Sequence, residues 1–368
     1  MLKNKKICYF LKSGREKRII NNHPDEFLYG LNFLRKKKLD VSVIHDADIG
    51  FNTNSKSKLF SLLNMIVYWT IGVPGKSLVI LFLKRKILLK FDIIIVTTNT
   101  FGISLAMLKK IGLFKSDIFY ISMGLITDKT PFFWKYIYRW ILKECKVVTL
   151  SYQDSKFLEK ELNIKIDYIN FGVDKDFWVP EKKKILEKYI ISIGNDLNRD
   201  YESLVDIWKE DFPLLKIVTN HKIVTTKKNI EIIFGDWATE ILSDKAIRKL
   251  IRESLFVILP IKDTIQPSGQ SVALQSMSCG KTVLITDFKG LWNRELIKNY
   301  KNIVLSGKPS EKDKLEETVI NLIEKKTMLK KIGINARYIV EKKLNSFEMA
   351  NEMLIKLEDY FFKKLNKK

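Results

Sequence analysis

The sequence predicts an α/β protein with two doubly wound, Rossmann-like domains. Short apolar runs rich in β-branched residues alternate along the chain with segments long enough for helices. Strands of this kind are typical of parallel sheets that helices cover on both faces. The chain has 368 residues, which exceeds the length at which one core usually stops growing, so two domains of about 150 to 200 residues are expected.

The predicted strands fall into two groups. The first half contains KICYFL, DVSVIH, DIIIVT, DIFYIS and KVVTL, and the second contains YIISIG, LKIVTN, IEIIF, SLFVILP, KTVLIT and KNIVL. The intervening segments of the second half include predicted helices over residues 200–209 and 244–252. Each half therefore has enough strands and helices for a doubly wound sheet.

The break between the domains is predicted near residues 170–188, where a Gly, a Pro and a charged run lie together. We expect an N-terminal domain over residues 1–170, a linker over 171–187 and a second domain over 188–345. Residues 346–368 are expected to form a C-terminal helix that is a candidate to pack back on the N-terminal domain.

Cysteine and histidine are scarce. Cys8, Cys145 and Cys279 are widely separated, they form no CxxC pair, and the chain has only three histidines. Neither a disulfide framework nor a metal site is predicted, and no cofactor is expected. Because the N-terminal apolar run ICYFL is too short for a signal-peptide core, we expect a cytoplasmic protein.

The net charge of +23 is polarised. Residues 1–150 contain 26 Lys and Arg against 10 Asp and Glu, so that part alone carries +16. A basic face of this kind attracts nucleic acid or an anionic membrane surface. The alternative is an ordinary solvated surface, since Lys outnumbers Arg by 55 to 10.

Apolar material among these charges favours the membrane as partner. Residues 59–75 contain no charged residue, but they are short and too often interrupted for a transmembrane helix. Residues 77–91 mix apolar and cationic side chains, as interfacial elements do. We expect peripheral contact with the inner face of the cell membrane and no nucleic-acid partner, with buried core helices as the alternative.

The segment QPSGQSVALQSMSCGK, residues 266–281, predicts a phosphate site. A loop of small residues opens a short helix, and amide groups at a helix N-terminus favour an anion. The loop and first turn contain Ser268, Gly269, Gln270 and Ser271, and Gln275 lies on the same helix face as Ser271. The alternative is an ordinary loop, helix and strand of an α/β domain.

Ligands of such sheets bind beyond the carboxyl ends of the strands. The candidates after the second-domain strands are Gly194, Asn195, Arg199, Lys222, Asp236 and Trp237. Arg199 is the candidate for a diphosphate, because its planar fork offers two parallel hydrogen bonds. Its alternative role is a salt bridge to a neighbouring Asp, and Trp237 could equally serve packing.

Several of these motifs resemble GT-B glycosyltransferases of family 4. PSGQSVALQSMSCGKTVLITDFKGLW is similar to the donor-binding signature of that family, ISIGNDLNRDYESL to the segment with its diphosphate-binding Arg, and YINFGVDKDFW to its domain linker. In the first half, HPDEFLYGLNFL, IIIVTTNTFGISLAMLKKIGL and IFYISMGL resemble acceptor-domain elements. The resemblance implies two Rossmann-like domains that face an interdomain cleft.

The resemblance also implies an activity. It is sugar transfer with retention of configuration and without a metal ion, from a UDP- or GDP-sugar to a hydroxyl of a glycan, a lipid-linked acceptor or a cell-envelope polysaccharide intermediate. Arg199 would bind the diphosphate and Gln275 the ribose, and these two are the candidate catalytic residues. His23, Asp25 and Glu26 follow the first strand and would lie on the acceptor side, although helix N-terminal charge is an alternative role for the two acids.

The chain departs from the family at two acidic positions. The signature has two Glu residues eight positions apart, and here they align with Gln275 and with Pro267 or Gln266. The Lys that usually follows the diphosphate-binding Arg is missing, and Lys222 is the candidate substitute. A non-catalytic subunit of the same fold, which binds a nucleotide sugar or a partner transferase, is therefore the alternative function.

Overall fold

The structure is a computed structural model that describes residues 2–15, 18–19, 23–50, 58–181, 187–235 and 242–365. Its contacts divide the chain into two compact units. Unit 1 contains residues 1–22, 27–169 and 349–368, and unit 2 contains residues 23–26 and 170–348.

Unit 1 is built on a six-stranded parallel sheet with the strand order β2-β1-β3-β4-β5-β6. The strands are β1 (Lys6–Leu11), β2 (Asp40–His45), β3 (Ile93–Val96), β4 (Asp117–Ser122), β5 (Lys146–Thr149) and β6 (Asp167–Tyr168). All four residues of β3 and all six of β4 are buried. This burial explains why the central strands are uninterrupted apolar runs.

Helices surround this sheet. They are α1 (Leu31–Lys36), α2 (Lys58–Ile71), α3 (Gly75–Leu88), α4 (Asn99–Lys110), α5 (Phe132–Leu142), α6 (Tyr152–Leu162) and, from Met349 onward, the C-terminal α12 (Ser346–Leu365). Helix α12 packs closely on the rest of unit 1, because a Cβ on Gly30 would lie only 2.9 Å from Cβ of Ala350. In the described part of the chain no single helix is long and apolar enough to cross a membrane, although residues 64–71 of α2 with α3 pass that test as a pair bent by 102°.

Unit 2 contains a second six-stranded parallel sheet, with the order β12-β11-β10-β7-β8-β9. Its strands are β7 (Tyr189–Ile193), β8 (Leu215–Thr219), β9 (Ile230–Phe234), β10 (Ser254–Leu259), β11 (Val283–Ile285) and β12 (Val304–Leu305). Its helices are α7 (Tyr201–Ile207), α8 (Asp244–Glu253), α9 (Gln270–Ser278), α10 (Lys312–Glu324) and α11 (Lys326–Lys343). Counted within the unit, the strand order is 3-2-1-4-5-6, and it reverses between β7 and β10.

The predicted fold class is confirmed, since both halves are α/β units with doubly wound parallel sheets. Some element bounds differ from the expectation. Strand β6 has only two residues and gives no apolar run long enough to predict. The run KTVLIT contributes only Val283–Ile285 to its strand, and Lys281 before it binds Glu187 and the carbonyl of Ser254 through Nζ. The described part of the predicted linker belongs to unit 2, where Trp178 is buried.

Candidate functional site

The candidate site lies in unit 2, at the carboxyl ends of β7 and β10. The two loops that follow these strands are joined through their backbones. Arg199 and Ile261 form an antiparallel bridge, and the Lys262 amide donates to the carbonyl of Asn198 over 2.8 Å. This junction stands where the strand order reverses, which is where doubly wound sheets open a crevice for ligands.

Arg199 is the central side chain of this junction. It is only 4% exposed, and its Nε lies 2.9 Å from Oδ2 of Asp196, in an ion pair without hydrogen-bond geometry. Its buried Nη1 has no acceptor among the described residues. A buried N–H without a partner is costly, so the guanidinium is arranged to receive a further anionic group.

Two glycines make room for this guanidinium. A Cβ on Gly194 would lie 2.1 Å from Nε of Arg199, and a Cβ on Gly269 would lie 3.0 Å from Nη1. Gly269 also has φ of +74°, which L residues rarely adopt. Glycine at these two positions therefore lets the Arg199 guanidinium lie directly against the backbone at the end of β7 and before α9.

The N-terminus of α9 adds positive potential at the same place. Gly269 is its N-cap, no side chain caps the helix, and the first helical hydrogen bond runs from the Ala273 amide to the Gly269 carbonyl. The amides of the first turn point out of the helix end. Ser268 and Gln270 are buried there and Ser271 is half-buried.

Asn198 holds the loop before α9 in place, a role that sequence reasoning does not predict. Its Nδ2 donates to Oγ of Ser268 over 2.8 Å and to Oε1 of Gln266 over 3.2 Å. Asn198 directly precedes Arg199, so the residue that fixes the loop and the residue that offers the cation lie together. The only sequence indication is that adjacency.

Asn195, another predicted ligand contact, connects the ends of neighbouring strands. Its Nδ2 donates to the Gly235 carbonyl, and its Oδ1 accepts from the Asn220 amide, both over 2.8 Å. His221 approaches the Asn195 carbonyl through Nε2 at 3.1 Å. This network orders the loops after β7, β8 and β9.

Lys222 lines a cavity of about 350 Å³. Arg199 and Lys262 also line it, as does His221, so cationic side chains approach the cavity from three loops. Asp236 and Trp237 lie outside the described residues. Within the described ranges, no three His, Cys, Asp or Glu residues come together as metal ligands.

Gln275 forms an unexpected cluster with Glu26. The contacts assign residues 23–26 to unit 2, and Gln275 Nε2 donates to Glu26 Oε1 over 3.0 Å. Trp178 Nε1 donates to the same oxygen over 2.9 Å, and the Asp174 amide donates to Oε2 over 3.2 Å. Glu26 is completely buried, and this burial raises the pKa of its carboxyl to about 7.

The other two residues of the predicted acceptor group lie close by in sequence. His23 Nδ1 stands 2.9 Å from Asp244 Oδ2, at the start of α8. Asp25 is half-buried. Contact of His23, Asp25 and Glu26 with an acceptor stays a prediction, while Glu26 is enclosed by donors from unit 2.

Comparison with known proteins supports the fold. No family model matches the chain, and no curated protein sequence matches it. Solved structures do match over nearly the whole chain. Sucrose-phosphate synthase from Thermosynechococcus elongatus is similar with a TM-score of 0.72 and 13% identity, covering 97% of this chain and 99% of the other. A glycosyltransferase from Rickettsia africae matches with a TM-score of 0.66 and 18% identity, over 96% and 98%.

A third similar structure was solved with ligands. Anabaena HepE in complex with UDP and glucose matches with a TM-score of 0.66 and 13% identity, covering 96% of this chain and all of the other. These identities are low, so the likeness establishes the architecture. The two doubly wound units of this chain have the fold of GT-B glycosyltransferases.

Proposed function

We propose that this protein is a glycosyltransferase that uses a nucleoside-diphosphate sugar. The observation that carries the proposal is Arg199, a buried guanidinium whose Nη1 has no acceptor among the described residues. It lies between Gly194 and Gly269, at the N-terminus of a nine-residue helix. A diphosphate would supply the missing acceptors and the charge that this helix end favours.

The motif resemblance extends this proposal to family 4 and to a retaining reaction. The structure with UDP and glucose in Anabaena HepE supports a UDP-sugar as the donor, and a GDP-sugar is the alternative. The proposed acceptor is a hydroxyl of a glycan, of a lipid-linked saccharide or of a cell-envelope polysaccharide intermediate.

The chemistry follows from the charge that develops when the sugar leaves. The bond between the anomeric carbon and the diphosphate breaks, and negative charge grows on the departing oxygen. Arg199 and the first-turn amides of α9 would stabilise that charge by preorganised electrostatics, with Lys222 and Lys262 beside the same cavity. These cations and amides would do the work that a metal ion does elsewhere, so metal independence is part of the proposal.

Retention requires the acceptor hydroxyl to attack from the face on which the diphosphate departs. The acceptor oxygen then bonds to the anomeric carbon, and its proton passes to the diphosphate. Gln275 contributes no charge to the oxocarbenium-like transition state. Its proposed role is to hold the donor. Rate acceleration would come from Arg199 and the first-turn amides of α9, which stabilise the departing diphosphate.

The exposed apolar face of unit 1 supports peripheral binding to an anionic membrane. Trp69 of α2 is 69% exposed and Phe132 of α5 is 73% exposed. The two helices touch, because Trp134 Nε1 donates to the Trp69 carbonyl over 2.8 Å. We call the exposed side chains of α2, α3 and α5 the aromatic face; they are Leu62, Met65, Ile66, Tyr68, Trp69, Val79, Leu83, Ile87, Phe132, Phe133, Tyr136 and Trp140.

Cations lie on the same helices as this face. Lys84 and Lys86 are exposed on α3, and the Arg85 guanidinium lies 4.1 Å from the Phe82 ring. Exposed aromatic residues beside cations are typical of surfaces that enter the headgroup region. We therefore propose that unit 1 binds the cytoplasmic face of the cell membrane, where a lipid-linked acceptor would be presented.

Ligand-induced stabilisation tests the proposed donor. UDP or GDP at 100 times its dissociation constant should stabilise the folded chain by about 2.7 kcal/mol, seen as a rise in Tm, and EDTA should leave the rise unchanged. Release of UDP or GDP from the matching sugar nucleotide, in the presence of membrane-extracted acceptors, would then measure turnover. Absence of any shift with both nucleotides and their sugars would contradict the proposal, and binding without release would favour the non-catalytic subunit.

A further inference from the structure

Only hydrogen-bond donors reach the carboxylate of Glu26. Its three partners from other residues are the amide group of Gln275, the indole N–H of Trp178 and the backbone N–H of Asp174. All three are neutral and none can accept a hydrogen bond from the carboxyl in the orientation that the structure has. This arrangement matches an ionised carboxylate, which is acceptor-only.

The carboxylate dictates which way the Gln275 amide faces. Because Glu26 Oε1 accepts, the NH₂ end of Gln275 must point toward it, and the carbonyl end must point away. Within the described ranges no donor bonds to Gln275 Oε1, although the side chain is only 7% exposed. Gln275 belongs to α9, the helix whose N-terminus borders Arg199.

We propose that Glu26 is a positioning residue, which locks the Gln275 amide so that its Oε1 accepts a hydrogen bond from a ribose hydroxyl of the donor. This inference rests on the proposed function. A free Gln side chain presents NH₂ or C=O with little preference, but a Gln side chain held by a buried carboxylate presents C=O alone. Glu26 thereby gives Gln275 the acceptor property of a carboxylate without a charge at position 275.

The same geometry explains why Gln rather than Glu suits position 275 in this chain. A carboxylate at position 275 would lie about 3 Å from Glu26, the present hydrogen-bond distance. Two like charges at that separation cannot both remain ionised in a buried site. The Glu26 and Gln275 pair keeps one charge, and that charge has three donors.

Substitution of Glu26 by Met should release the orientation. Met is about as long as Glu but has no oxygen that can accept from Gln275 Nε2. Nothing at position 26 then determines which end of the Gln275 amide faces the ligand. Trp178→Phe is the matched control, since it removes one donor to Glu26 and leaves the Gln275 bond in place.

The experiment compares UDP and GDP with their 2′,3′-dideoxy analogues by titration calorimetry on the full chain at pH 8.5. We expect the wild type to bind the better parent nucleotide about tenfold more tightly than its dideoxy analogue, the usual effect of one hydrogen bond. Discrimination should fall to about threefold or less in Glu26→Met and in Gln275→Ala, and it should remain tenfold in Trp178→Phe.

The wild type supplies a second measurement that needs no folded variant. Burial raises the pKa of Glu26 to about 7, so at pH 6 its carboxyl is protonated and can itself donate to Gln275 Oε1. Discrimination should therefore be smaller at pH 6 than at pH 8.5, and the diphosphate's own titration cancels in the ratio. The other titratable groups near Glu26 are His23, which pairs with Asp244, and the acids Asp25 and Asp174. The Asp174 carboxylate accepts from the Asp176 and Phe177 amides.

The outcomes separate the inference from the function on which it rests. Tenfold discrimination that persists in Glu26→Met, or in the wild type at pH 6, would overturn the positioning role while leaving nucleotide binding intact. Equal affinity of the wild type for parent and dideoxy nucleotide would also overturn it. Failure of the wild type to bind either UDP or GDP would instead remove the proposed function itself.

Discussion

The two units contain the same kind of parallel sheet, but the buried charged residues at its carboxyl edge differ in sign. In unit 2 the loops after β7 and β10 enclose Arg199, whose Nη1 has no partner in the described residues. In unit 1 the helix after β5 carries Asp154, a fully buried acid with Oδ2 3.3 Å from the Gly124 amide. Burial raises the pKa of Asp154 to about 7.

Unit 1 does have an arginine at its own reversal of strand order, between β1 and β3. That residue, Arg15, donates from Nη1 to Thr97 Oγ1 over 3.0 Å, and its guanidinium lies 5.1 Å from the Tyr29 ring. Its hydrogen-bonding capacity is partly used within the unit. Strand order reverses in both units, and the loops at the reversal decide whether that edge is suited to an anion.

Removal of Arg199 is the strongest test of this contrast. Arg199→Ala should lower the affinity for UDP or GDP at least about 100-fold, because two charge-assisted hydrogen bonds of about 1.5 to 3 kcal/mol each are lost. Arg199→Lys should retain the charge and lose the planar fork, with an intermediate loss. Titration calorimetry measures all three proteins.

Arg35, exposed near the end of α1 in unit 1, provides the control for this exchange. Arg35→Ala removes the same charge from the chain and should leave nucleotide affinity within about twofold, since a distant exposed charge is screened. Equal losses in the Arg199 and Arg35 variants would mean that net charge, and not the unit 2 site, binds the nucleotide.

The aromatic face tests the other half of the contrast, that unit 1 serves a membrane. The double variant Trp69→Ser with Phe132→Ser should weaken binding to vesicles of phosphatidylglycerol and phosphatidylcholine about 100-fold. Insertion of each aromatic side chain is worth about 1.5 to 3 kcal/mol. Flotation at low salt and at 0.5 M NaCl would measure the apolar and the electrostatic contributions separately.

Phe234 of unit 2 is 57% exposed and gives a matched aromatic control. Phe234→Ser should leave vesicle binding unchanged. A wild-type protein that ignores anionic vesicles, or a double variant that binds them as well as the wild type does, would assign the aromatic face to another partner.

Sequence reasoning predicts the sheets and the candidate anion site because both depend on local features. Buried parallel strands are apolar runs wherever they occur, and Arg199 and Gly269 lie in the loops that follow β7 and β10. The partner of Gln275 is not predictable in this way, because Glu26 lies 249 positions away and reaches it only through the tertiary fold. The aromatic composition of α5 is likewise that of a buried core helix. Only the exposure of these side chains in the fold shows that they lie on the surface.

The smallest expected effect concerns the two buried acids, which should make stability depend on pH in the same direction in both units. The pKa of Glu26 is raised from 4.5 and that of Asp154 from 3.8, each to about 7. At pH values between the ordinary pKa of each acid and 7, that acid holds a proton in the folded chain and has released it in the unfolded chain. The free energy of unfolding therefore falls as pH rises toward 7 and levels off above it.

Glu26→Gln and Asp154→Asn mimic the protonated acids at every pH and should each remove part of this slope. Urea unfolding measures the free energy of unfolding at pH 5 and at pH 8. The difference between the wild type and each variant should decrease by about 2 kcal/mol between these pH values, since each unit of pKa shift corresponds to about 1.4 kcal/mol. Comparison with each variant cancels the self-repulsion of the +23 chain. The two acids would then behave alike in stability. If Glu26→Met abolishes the discrimination between ribose and dideoxyribose while Asp154→Asn does not, burial alone does not give a carboxyl a role in ligand binding, and the position of Glu26 against Gln275 does.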